Sequence, residues 1–243
     1  MNPLSLSGIS KHFGGIVAIE RFDLEVEAGE VVALVGDNGA GKSTLVKIIS
    51  GVHQPTEGEI RLAGERVSFR DASDARANGV EVVYQDLALV DLQPVYMNLF
   101  LGRELRRKPF GLLDRAEMAR QTQQLVDDLD VRIPTAKATL SDLSGGQRQA
   151  IAIARATHWA SRLVLMDEPT AALGVAETAK VEELILKLKA RGAAVLVVSH
   201  NMEQVFRIAD RVTVLRRGRQ VGTKRVAETS HNELVSMITG LSS

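Results

Sequence analysis

The chain contains no cysteine, which excludes a disulfide scaffold, thiolate metal sites and a cysteine nucleophile, and fits a reducing cytosol. Aromatic residues make up only 4% and leave little material for stacking unpaired bases. Neither charge is in excess: 30 Lys+Arg balance 30 Asp+Glu, so there is no basic surplus to displace counterions from nucleic acid or anionic lipid. No apolar run reaches the roughly 18 residues of a spanning helix. The amino-terminal MNPLSLSGISKHF lacks the basic and apolar regions of a signal peptide. Internal repeats, low-complexity tracts and Pro/Gly/Ser linkers are also missing. What is present is 243 residues, 45% hydrophobic and 25% charged, the composition of an ordinary folded chain of one large or two small domains.

Periodicity supplies the organisation. Short alternating runs at Leu4 to Ile9, Phe22 to Glu27 and Glu59 to Ala63 predict a small, partly antiparallel sheet. Near-continuous aliphatic runs at Val31 to Val35, Val80 to Tyr84, Leu163 to Met166, Ala194 to Val198 and Val212 to Leu215 predict strands buried on both faces. Helical patterns near 42–50, 115–129, 175–190 and 201–209 separate them and imply parallel crossover units, an α/β core. Between Asp86 and Ala160 no strand is evident. Helical patterns there, with Asp114-Arg-Ala-Glu117 as a capping box, predict a helical lobe inserted between core strands. The chain reads as a single domain, with residues 1–86 and 161–243 forming the core and 87–160 the helical subdomain.

Gly36-Asp37-Asn38-Gly39-Ala40-Gly41-Lys42-Ser43-Thr44 follows one aliphatic run directly and precedes a helical pattern. It is G-x-x-x-x-G-K-[ST] in the strand–loop–helix setting the motif requires. Glycines allow inward-pointing backbone N–H groups, the helix adds its positive end, Lys42 reaches the β- and γ-phosphates, and Ser43 offers a hydroxyl to Mg²⁺. A glycine-rich turn that binds nothing is the plain alternative. Leu163-Val-Leu-Met-Asp167-Glu168-Pro169 ends a strand in two carboxylates that face opposite ways. In a phosphate-loop NTPase, Asp167 would hold Mg²⁺ through its water and Glu168 would polarise the attacking water; acidic residues also begin many ordinary loops. Leu143-Ser144-Gly145-Gly146-Gln147 opens a helix with Ser144 as N-cap and Gln147 at the box position. Its glycines bare a second set of N–H groups suited to an anion, although a plain capped helix would look the same.

The LSGGQ at 143–147, about 100 residues after Lys42 and about 20 before Asp167, resembles the signature of the ABC (ATP-binding cassette) ATPases, and the likeness runs along essentially the whole chain. It implies an ABC-type phosphate-loop core with a small antiparallel β subdomain and an inserted helical one. Gln85, at the end of Val80-Glu-Val-Val-Tyr-Gln85, resembles the Q-loop glutamine that touches Mg²⁺ or its water and senses the γ-phosphate. His200, after Val195-Leu-Val-Val-Ser199, resembles the switch histidine that contacts the γ-phosphate and aligns it with Glu168. Phe13 resembles the aromatic that stacks on adenine; a core residue of the small sheet is the competing reading.

The family implies head-to-tail dimers, in which Ser144, Gly145, Gly146 and Gln147 of one cassette close over ATP held by the other. With one phosphate loop and one signature, two complete sites require a second cassette, from a homodimer or a related partner. One position departs from the family: after Glu168-Pro-Thr-Ala-Ala-Leu173 an aspartate is usual, and here stands Gly174. The carboxylate thought to link the two sites is therefore missing. Leu87 to Leu101 is mostly apolar. It reads either as a core helix or as part of a groove receiving a short cytoplasmic helix of a membrane permease.

GDNGAGKSTLVKIISG, YQDLALV, FLGRE and SHNM resemble the ATPases of bacterial monosaccharide importers of the ribose, xylose and fructose class, in a single-cassette form. The resemblance implies a peripheral protein on the cytoplasmic face of the cell membrane, with solute choice left to the permease and an extracytoplasmic binding protein. A transporter of another solute, a regulatory module that binds ATP without hydrolysis and a soluble ABC protein acting on nucleic acid or ribosomes are the alternatives. Nothing basic or aromatic favours the last. Arg216-Arg-Gly-Arg219 reads as a solvated hairpin-like turn, and Ser230-His-Asn-Glu233 as a capping box opening a final helix that ends near Gly240. His12, His53, His158 and His231 show no metal-ligand spacing; the expected metal is Mg²⁺ on oxygen ligands.

Overall fold

Two kinds of strand, half-buried alternating and fully buried aliphatic, sort into two parts of one sheet in the computed structural model, which describes residues 2–160 and 162–240. In chain order the first half runs β1 (Leu4–Phe13), β2 (Ile16–Val26), β3 (Val31–Val35), α1 (Lys42–Ile49), β4 (Glu57–Leu62), β5 (Glu65–Val67), α2 (Ala72–Ala77), β6 (Val80–Val83) and α3 (Val95–Leu99). There follow β7 (Arg106–Arg107), β8 (Leu112–Leu113), α4 (Arg115–Asp128), α5 (Gly145–Trp159), β9 (Leu163–Asp167) and α6 (Val175–Ala190). The chain continues through β10 (Val195–Val198), α7 (Met202–Ile208), β11 (Arg211–Arg216), β12 (Arg219–Arg225) and α8 (His231–Thr239).

The main sheet has ten strands in the order β5-β4-β1-β2-β12-β11-β3-β10-β9-β6. Its five aliphatic strands, β11, β3, β10, β9 and β6, lie side by side and parallel. The alternating strands β2, β1, β4 and β5 pair antiparallel and meet the parallel part through one bridge, Arg219 to Glu20. Strand period two divides the core: Val32 and Leu34 of β3 pack with Leu45, Ile48 and Ile49 of α1, whereas Ala33 and Val35 turn to the opposite face with Val205 and Leu234. On that opposite face Met166 and Val197 pack with Ile151 of α5 and Ile185 of α6. Helices on both faces explain why these strands carry no alternation in sequence.

Several expectations need correction. Residues 87–94 are not helical; α3 begins only at Val95, after Pro94, because proline lacks the N–H and restricts the residue before it. The inserted region does contain strand, the two-residue ribbon β7–β8, too short to show a pattern. β5 and β12 are polar on one side and likewise escaped periodicity. The basic turn at 216–219 is the tip of the β11–β12 hairpin, with Arg217 and Gly218 both at positive φ, the geometry a two-residue turn demands. Asp114 and Ser230 cap their helices, accepting from Glu117 N and Glu233 N. The reciprocal arms are absent, because Glu117 pairs with Arg120 and Glu233 with Lys224.

Candidate functional site

In an open parallel sheet the loops at the carboxyl ends of the strands gather on one edge, and here they carry the motif residues. The phosphate loop leaves β3, Gln85 follows β6, Asp167 and Glu168 close β9, and His200 follows β10. Gly36 is obligatory by contact: a Cβ there would lie 2.1 Å from the carbonyl oxygen of Leu215. Gly41, at φ 109°, would drive a Cβ to 2.7 Å from the carbonyl of Ala18. α1 then starts at Lys42 with no side-chain cap and no acid in its first turn, which leaves its N–H groups and dipole for an anion.

Lys42 is only 8% exposed, and its Nζ donates to the carbonyls of Gly36 at 2.6 Å and Asp37 at 3.0 Å. Burial lowers its pKa, against the opposing pull of Glu168, Asp167 and Asp37. Asp37, Asn38, Gly39 and Ser43 are exposed, Thr44 is half-buried, and Ala40 is buried under the loop. Burial, reinforced by the neighbouring Glu168 charge, raises the pKa of Asp167, and Lys42 works the other way. Glu168 sits at φ 51°, an uncommon conformation for a side chain of this length. Its N–H donates to Val198 O at 2.9 Å, and its Oε1 lies 2.9 Å from Nδ1 of His200. These two residues, 32 apart in sequence, are brought into direct contact.

Gln85 lies two residues past β6 rather than at its end, and is exposed. The backbone after it is held by α5: the Arg155 guanidinium donates to the carbonyls of Leu87 and Ala88, both at 3.0 Å. Phe13 ends β1 with 43% exposure, so it is not a core residue. Its ring meets His53 edge-on at 5.3 Å, with Lys11 Nζ 5.0 Å from its centre. At the start of α5 both arms of the capping box are made, Gln147 N to Ser144 Oγ at 3.3 Å and Ser144 N to Gln147 Oε1 at 2.9 Å. The Gly146 N–H donates to Glu177 Oε1 at 3.3 Å, while Gly145 stays exposed.

Three residues were not visible from sequence. Gln204 is fully buried and ties Thr170 Oγ1 (2.9 Å) to Ser199 Oγ (2.8 Å), locking the loop after Glu168 to the one bearing His200. Arg155 and Glu177 sit on helices whose sequence patterns look unremarkable. A groove of about 600 Å³ opens between the Gln85 loop, α2 and α5, lined among others by Tyr84, Leu101, Arg76, Arg103 and Arg155. At its base Arg103 pairs with Glu81 at 2.7 Å, and burial raises the Glu81 pKa against that pairing.

The ABC transporter family's sequence model matches residues 19–171, and the chain belongs to that family. As a member it is an ATPase, built on an α/β cassette fold; the family's ATPases use ATP with Mg²⁺. The Xylose/arabinose import ATP-binding protein XylG of Sulfolobus acidocaldarius is 46% identical over 97% of this chain and 93% of its own length. The Fructose import ATP-binding protein FrcA of Rhizobium meliloti is 43% identical over 98% and 94%. The Ribose import ATP-binding protein RbsA of Burkholderia mallei is 45% identical over 98% of this chain but 46% of its own, so the chain spans about half of it. Among solved structures, the ADP conformation of MJ1267, an ATP-binding cassette, superposes with TM-score 0.83 at 23% identity over 99% and 96% of the two chains, a likeness of fold. The dimeric post-hydrolysis structure of the cassette MJ0796, bound to ADP and Pi, matches with TM-score 0.75 at 26% identity over 92% and 98%. No helix among the described residues is long and apolar enough to cross a membrane.

Proposed function

We propose that this chain is the ATP-hydrolysing subunit of an importer for a monosaccharide, acting as a pair of cassettes beneath a membrane permease on the cytoplasmic face. The observation that carries the hydrolytic reading is the 2.9 Å contact between Glu168 and His200, beside a phosphate loop whose lysine is buried. The sugar class rests on the three import ATP-binding relatives. Residues 36–44 bind the phosphates through backbone N–H groups, and Phe13 offers an exposed ring face to the adenine. Residues 1–86 and 161–243 act as the nucleotide core, with 87–160 as the lobe that carries the signature.

Among the described residues no group of three His, Asp or Glu side chains could hold a metal. An exposed Ser43 hydroxyl at the head of α1 and the Asp167 carboxylate at the end of β9 suit Mg²⁺, which takes one or two protein oxygens and completes its shell with phosphate and water. The Ser43 hydroxyl and the Asp167 carboxylate would hold it, and Gln85 would reach the metal or its water. When bound, Mg²⁺ neutralises charge on the β- and γ-phosphates. Glu168 accepts hydrogen from the attacking water, and His200, held against Glu168, contacts the γ-phosphate and keeps the carboxylate oriented. ATP closes the dimer when residues 144–147 of each cassette cover the nucleotide of the other, and loss of phosphate reopens it.

The groove beside Gln85 receives a short cytoplasmic helix of the permease. The tie from Arg155 to the Leu87 and Ala88 carbonyls passes movement of the Gln85 loop to α5 and so to the signature. Sugar choice lies in the permease and an extracytoplasmic binding protein. Glu168→Gln is expected to bind ATP as the parent does while phosphate release falls about a hundredfold or more, the scale of a lost general base. Undiminished phosphate release would remove Glu168 from that role.

A further inference from the structure

Glu177 lies in the first turn of α6, half-buried. Its two oxygens go to backbone N–H groups of two different helices: Oε1 to Gly146 in the signature at 3.3 Å, and Oε2 to Gly174 at the start of α6 at 3.4 Å. None of the ion pairs among the described residues includes it. The contact is close along the whole side chain. A Cβ on Gly146 would sit 2.9 Å from both Cβ and Cγ of Glu177 and 3.2 Å from Cδ, so only glycine at 146 lets this carboxylate reach the helix end.

We infer that Glu177 is a positioning residue whose carboxylate holds the signature as an internal anion until the γ-phosphate of ATP on the second cassette takes its place. The inference rests on the cassette dimer proposed above. A carboxylate already occupying the Gly146 N–H cannot share it with a phosphate, and two negative groups this close repel strongly away from bulk water. Closure therefore displaces Oε1 from Gly146. The other oxygen holds Gly174, the end of the loop that begins directly after Glu168, so the displacement is felt at the hydrolytic pair of the same chain. Position 174 has no carboxylate of its own; Glu177 supplies one from a turn further on and ties it to the signature.

The test titrates ATP with Mg²⁺ against the full chain carrying Glu168→Gln, following dimer formation by light scattering, with and without Glu177→Gln. Glutamine keeps the length and one acceptor oxygen but removes the charge. The ATP midpoint for dimerisation is expected to fall about fivefold or more. A purely structural contact would raise the midpoint when weakened, because the signature would be held less well. Glu177→Asp, which keeps the charge but is too short to bridge both N–H groups, is expected to lower the midpoint as well, and guards against a folding defect in the glutamine variant. A midpoint at or above that of the Glu168→Gln parent in both variants overturns the inference alone. Failure of the Glu168→Gln parent to dimerise at any ATP concentration overturns the dimer reading and this inference with it.

Discussion

At the end of β9 the fold buries a carboxylate at a cost in stability. Burial, with Glu168 adjacent, raises the pKa of Asp167, so its ionised form disfavours the native state at neutral pH. The unfolded carboxyl ionises near the ordinary 3.8 while the folded one still holds its proton, and stability falls as pH rises through that window. Asp167→Asn is therefore expected to raise the melting temperature at pH 7 in the absence of nucleotide. The gain should disappear as pH is lowered to the ordinary carboxyl value, and the variant should lose ATP turnover. A pH-independent difference between the two melting curves would contradict this account. Motif residues such as Lys42 and Asp167 were legible because their backbone setting, strand then loop then helix, is itself written in the sequence. Gln204 was not, since its importance comes from meeting Thr170 and Ser199, which lie far from it or merely beside a strand end.

Among the elements, the segment before α3 shows what periodicity cannot resolve. Leu87 to Leu101 divides between the two readings: Val95, Tyr96, Leu99 and Phe100 are buried, while Val90, Leu92 and Leu101 are exposed. The non-helical part is shaped by one side chain. Asn98, 1% exposed, accepts from Val90 N at 2.7 Å and donates to the carbonyls of Val90, Gln93 and Pro94 at 3.1 to 3.3 Å. Asn98→Ala strips these backbone groups of their partner and is expected to cost about 1–3 kcal/mol, a fall of several degrees in melting temperature. Proteolysis should then appear first within 87–94. Unchanged melting with no new cleavage would mean the loop holds itself. The five aliphatic strands and the boundaries of α1, α4 and α6 followed from the sequence because burial on two faces, or a stripe on one, leaves a mark in residue order. β7–β8 is too short to leave any.

For the whole molecule, the proposed link between two sites is tested at position 174. Gly174 has an extended backbone, φ −70° and ψ 169°, which any residue can adopt, so Gly174→Asp is expected to leave melting unchanged or slightly higher, aspartate being a good N-cap. Its Cβ would stand 4.0 Å from Glu177 Oε2, bringing a second carboxylate against the first. The Hill coefficient or the rate of ATP hydrolysis is expected to change; identical kinetics would show the position to be idle. The sequence by itself determined the class of machine: the phosphate loop, the acidic strand end and the LSGGQ are local patterns, each set by what a few consecutive backbone groups must do. Only the tertiary structure decided which distant residues meet. His200 against Glu168, Arg155 on the carbonyls of 87 and 88 and Glu177 on Gly146 join segments whose spacing in the chain carries no signal. Sheet order and helix packing bring them together, and both are properties of the folded core as a whole.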